Sequence, residues 1–149
     1  MGGQTSWAQQ TIDDFFKHRE YPTQIQCDQI ARSISNASDV SSVDTPGSMS
    51  YIVICKGPHP ATQVLVVVSF REPEAYLDQG MGKLAREIHG SLVPGASLHS
   101  VVDGAVPALT IYTMPYLPGV SCLDSLAYQV EMDELMEARH ACFVGHLAG

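Results

Sequence analysis

The chain has 149 residues, 45% of them hydrophobic and 16% charged, and its net charge at pH 7 is −8. That length and apolar content suit one folded domain with a buried core and exclude a disordered polyelectrolyte. Only 8 Lys and Arg are present, and they are scattered, which tells against nucleic acid and anionic membranes as partners.

Trp7, Ile12, Phe15 and Phe16 recur at near-helical spacing and predict a first helix, which Tyr21-Pro22 interrupts. Thr23 then caps a second helix whose apolar face is Ile25, Ile30 and Ile34, with Cys27 and Ala31 beside it. Residues 35–50 are rich in Ser, Asp, Gly and Pro and read as a linker or turn. Tyr51–Cys55 and Val64–Val68 are β-branched runs that predict an antiparallel hairpin. A helix is expected from about Glu74 to Val93, burying Leu77, Met81, Leu84, Ala85 and Ile88 and closed by Gly90, Pro94 and Gly95.

Two further strands are predicted around Ser97–Val102 and Leu109–Met114, and a last helix over Met132–Leu147. The order gives an α+β fold around an antiparallel sheet, with helices before it, one helix within it and one after it. Cys27, Cys55, Cys122 and Cys142 form no CxxC pair and read as reduced, mostly buried thiols. The opening residues hold no apolar signal core, and no apolar run reaches about 18 residues, so a soluble cytoplasmic protein is expected. Met1-Gly2 with Ser6 meets the short myristoylation pattern, too brief a match to carry weight.

Four local motifs carry chemistry. Pro46-Gly47-Ser48-Met49-Ser50-Tyr51 is a small-residue turn entering a strand, where backbone N–H groups can approach an anion; a plain loop is the alternative. Val66–Arg71 ends a strand in a guanidinium, which grips phosphate bidentately, or which pairs at the surface with Glu72 or Glu74. Leu84-Ala85-Arg86-Glu87-Ile88 puts an acid beside an apolar stripe; Asp78 is its rival, and a surface pair with Lys83 its alternative use. Ile111–Ser121 runs from a strand into Met114-Pro115-Tyr116-Leu117-Pro118-Gly119.

In order and spacing, these motifs resemble the N-terminal lobe of the aminoglycoside phosphotransferase-like kinases, fungal type, over roughly residues 23 to 149. The resemblance implies a helical extension over 1–45, a kinase-like lobe over 46–119 and a post-hinge segment over 120–149. It implies a phosphate-covering turn at Gly47 and Ser48, a phosphate anchor at Arg71, an orienting acid at Glu87, and adenine contacts at Met114 to Tyr116. Pro115 departs from the pattern, since it removes one N–H that adenine could use. ATP, held weakly, is the implied nucleotide.

Phosphoryl transfer also needs a carboxylate near the substrate hydroxyl and ligands for magnesium. No His-x-Asp sequence occurs, and no Asp or Asn follows Asp133. The isolated chain is therefore expected to bind without turnover, and magnesium is not expected. A non-catalytic accessory protein on the same scaffold is the competing reading. It would associate with itself or another protein through exposed apolar residues such as Tyr116, Leu117, Val120 and Leu123. A small enzyme of another class ranks third, because no titratable constellation supports it.

Overall fold

The computed structural model describes residues 5–44, 46–58 and 65–117, together with positions 138, 141, 142 and 145. Helices α1 (Trp7–Phe16) and α2 (Gln24–Ser35) come first, then strands β1 (Asp39–Ser42), β2 (Ser50–Lys56) and β3 (Leu65–Arg71). Helix α3 (Gln79–His89) follows, then β4 (Ser97–Val101) and β5 (Thr110–Pro115), with single 3₁₀ turns at Pro73–Ala75 and Gly90–Leu92. All pairings are antiparallel, and the sheet order is β1-β2-β3-β5-β4. The fold is α+β, as the pattern of elements predicts. The final helix of that prediction lies outside the described residues except at four positions, all helical.

Local chemistry accounts for the helix ends. Ser6 accepts a hydrogen bond from the Gln9 amide at 3.2 Å and caps α1. Thr23 and Gln26 form a reciprocal capping box on α2, which Asn36 closes in the left-handed region. Asp78 caps α3 through Met81, so this helix starts later than its expected onset at Glu74. Gly90, with φ of 60°, ends it.

Strand alternation divides the sheet into two faces. On one, Tyr51, Val53, Cys55, Val68, Phe70 and Ile111 meet Ile12 and Phe15 of α1 and Cys27 and Ala31 of α2 in a single core. The inner surface of α2 is centred on Cys27 and Ala31, flanked by Ile30 and Ile34. Ile25, expected on that face, is 70% exposed. Phe16, Tyr51 and Phe70 form an edge-to-face and stacked aromatic series through this layer. Tyr51 donates a 2.7 Å hydrogen bond to Asp28, which satisfies its buried hydroxyl.

Two expectations are corrected. Residues 39–42, within the stretch read as a linker, form edge strand β1, paired Asp39 to Lys56 through Ser42 to Val53. Only Val40 of this strand is even half-buried, so its contribution is backbone pairing that a side-chain pattern does not signal. Second, α3 buries no residue: Met81, Leu84 and Ile88, predicted to face the core, are 64%, 47% and 58% exposed. Among the described residues no helix is long and apolar enough to cross a membrane.

Candidate functional site

Register places Ser69 and Arg71 of β3 and Thr110, Tyr112 and Met114 of β5 on the sheet face opposite the core, since Arg71 pairs with Thr110, Ser69 with Tyr112 and Val67 with Met114. The connection from β3 crosses this face into α3, tied down where the Leu77 amide donates to the Tyr112 hydroxyl at 3.1 Å. A cleft of about 830 Å³ lies between sheet and helix. Its walls include Arg71, Leu77 and Met114 from the sheet side, and Lys83, Arg86 and Glu87 from α3.

Arg71 is half-buried and held. Its Nε donates to the Ser69 hydroxyl at 2.9 Å, and its Nη1 donates to the Ala75 carbonyl at 3.3 Å. Burial pushes its pKa below the ordinary value, with the Tyr112 phenol acting weakly in the other direction. The surface pairing of Arg71 with Glu72 or Glu74 does not form; Glu72 turns to the other side of the strand and takes Arg19 at 2.9 Å. Arg19–Glu72 is the one ion pair within 4.0 Å among the described residues, so Glu87 is closed onto neither Arg71 nor Lys83. Arg71 and Glu87 nevertheless face the same cleft.

Lys83, Arg86 and Glu87 of α3 border the cleft together with Met81 and Ala85, while Leu84 and Ile88 lie outside it. Lys83 and Arg86 join Arg71 there, placing three of the chain's eight Lys and Arg in one depression of an acidic protein. Arg86 lies against the backbone of Gly95. A Cβ at Gly95 would come within 1.9 Å of the Arg86 Nη1, a contact that the flexible, exposed end of this side chain can relieve by swinging aside. Asp78, the rival acid, also lines the cleft, but its carboxylate is occupied in capping the helix.

The six residues singled out in the sequence divide evenly. Arg71, Glu87 and Met114 line the cleft; Gly47, Ser48 and Tyr116 do not. Gly47 and Ser48 form an exposed turn at the Arg71 end of the sheet, joined to it where the Glu72 amide donates to the Met49 carbonyl at 3.1 Å. The Tyr116 amide donates to the Leu65 carbonyl at 3.1 Å and is not offered to a ligand. Met114 and Val67 are two positions along the same ladder and so are the same kind of hydrogen-bonded pair. No family model, curated protein or solved structure matches the chain.

Sequence reasoning missed Ser69 and Arg19. Ser69 is fully buried and orients Arg71 two residues on, and the serine inside an otherwise apolar β3 run was its available signal. Arg19 had none, because its partners lie 53 and 88 residues away.

Proposed function

We propose that this chain carries the nucleotide-holding lobe of a small-molecule kinase of the aminoglycoside phosphotransferase type and binds ATP. The observation that supports this reading is the meeting of Arg71, Glu87 and Met114 in one cleft, from three motifs picked out separately. In this reading Arg71, already oriented by Ser69, presents its remaining donors to phosphate oxygens, and Glu87 balances the guanidinium from α3. Met114, Leu77, Val93 and Pro94 supply an apolar wall for the base. The base is gripped by these contacts and not by the Tyr116 amide, which the sheet has already used.

Met114 and Arg71 are separated by four residues of strand, roughly 13 Å, so base and phosphates would lie along β3. Calorimetric titration of the full chain with millimolar ATP tests the reading. Weak binding, indifferent to magnesium, is expected, and Arg71→Gln should weaken it roughly tenfold, the worth of one charge-assisted hydrogen bond. Wild-type protein that takes up no ATP at millimolar concentration would sink the assignment.

A binding or accessory role on the same scaffold is the second reading, favoured by the exposure of Leu84 and Ile88 on α3 and of Leu92 in the 3₁₀ turn after it. Tyr116 and Leu117 are also exposed, whereas Val120 and Leu123 lie outside the described residues. Light scattering at low micromolar concentration decides here: self-association supports the role, and a strict monomer weakens it.

A further inference from the structure

Arg19 follows α1 in sequence, yet its side chain is 1% exposed and lies beneath the Arg71 end of the sheet. Its Nη2 bonds Glu72 at 2.9 Å, its Nη1 donates to the Pro107 carbonyl, and its guanidinium stacks 5.1 Å from the centroid of Phe15. The Nε has no partner among the described residues. A buried charge with an unmet donor is poor value as a stability device, because a well-packed apolar residue commonly does as well. What the guanidinium does achieve is to fix three chain segments at one point.

Glu72 is the first of these. It follows Arg71 directly and lies on the opposite side of the strand, and its amide also holds Met49 in the turn that carries Gly47 and Ser48. Pro107 is in the connection leading to Thr110, the strand partner of Arg71. We infer that Arg19 is a positioning residue: by anchoring Glu72 and Pro107 from beneath, it directs Arg71 into the cleft without touching any ligand. The inference rests on the nucleotide reading for its purpose, and on geometry alone for its existence.

Two measurements separate those dependencies. The first needs no ligand. In wild-type protein the Arg71 Nε–H, held by Ser69, should give a dispersed NMR signal, assigned by its loss in Arg71→Gln. Arg19→Met keeps the packing on Phe15 and leaves the Glu72 side chain, 24% exposed, within reach of water; Arg19→Met combined with Glu72→Gln removes both charges and serves if the single variant does not fold. Collapse of the Arg71 signal toward free-arginine positions in either variant is expected, and an unchanged signal overturns the inference whatever ATP does.

The second measurement compares ATP with adenosine, which makes no use of a phosphate anchor. Arg19→Met should lower the ratio of the two affinities roughly tenfold, toward the value of Arg71→Gln, with adenosine affinity kept. A general structural lesion would lower both alike, and a wild-type ratio in the variant would likewise overturn the inference. Absence of ATP binding in wild type removes the nucleotide reading, while the NMR result still decides the positioning role.

Discussion

Cys27 lies on the buried side of α2 with no solvent contact, and burial pushes its thiol from an ordinary 9.0 up to about 12, reinforced by the Asp28 carboxylate and opposed by Arg19. The folded state thus holds this proton to higher pH than the unfolded chain does. The resulting stabilisation is complete below about 9 and is lost as pH rises through about 12. Buried Tyr51 shifts the same way, mainly from burial and then from its bond to Asp28. Each such proton steepens the alkaline decline by about 1.4 kcal/mol per pH unit. Urea unfolding compared between about pH 8 and pH 10.5 should therefore show a shallower decline for Cys27→Ala than for wild type; parallel declines would contradict the burial of this thiol.

The thiols also differ in access. Cys27 and Cys55 are free and buried, whereas Cys142 is free and exposed despite its apolar sequence context. Iodoacetamide followed by peptide mapping should label Cys142 in the native protein and reach Cys27 and Cys55 only after denaturation. Labelling of Cys27 at the native rate of Cys142 would mean that the α2 face opens readily. The expectation of mostly buried thiols fits Cys27 and Cys55 but not Cys142, whose apolar neighbours in sequence misjudged its access to solvent; Cys122 lies outside the described residues.

At the scale of elements, α3 is the instructive case. Its periodic apolar residues correctly announced a helix, and Asp78 and Gly90 set its ends, but periodicity does not say what covers the stripe. Here α3 stands off the sheet across an open cleft, so Leu84 and Ile88 are left in solvent. Leu84→Glu and Ile88→Glu should each change stability by no more than about 0.5 kcal/mol and reduce any self-association. Phe70→Ala, by contrast, should cost about 3–5 kcal/mol, since Phe70 is fully buried in the α1–α2 layer. A large loss on changing Leu84 would show that another surface covers the helix. β1 was illegible for a different reason: Asp39, Ser41 and Ser42 are exposed, and an edge strand of that kind is held by backbone bonds that leave no imprint on side-chain choice.

Across the whole molecule, protection is unevenly distributed. β2, β3 and β5 form the middle of the sheet with α1 and α2 against one side, while β4 is an irregular edge broken between Leu98 and Ser100. Native-state hydrogen exchange should find the slowest amides at Val53, Val68 and Tyr112, whose N–H groups bond within β2, β3 and β5, with β4 and α3 opening at lower free energy. Equal protection throughout would argue that the free side of the sheet is as tightly covered as the packed one.

The central hairpin and the later strand pair were readable because their runs are β-branched and separated by turn residues. The cleft was readable in part, because Arg71 and Met114 stand at the ends of such runs and Glu87 flanks the apolar stripe of α3. The anchoring of Glu72 by Arg19 was not, since no local pattern joins residues so far apart.

β3 ends in a cation followed at once by an acid, one delivered to the open groove and the other to the packed underside. A frame error of one residue along that strand would exchange them, leaving a carboxylate in the groove and a guanidinium crowded against Arg19. The groove's polarity is thus a matter of parity: it survives changes in the strand only in steps of two.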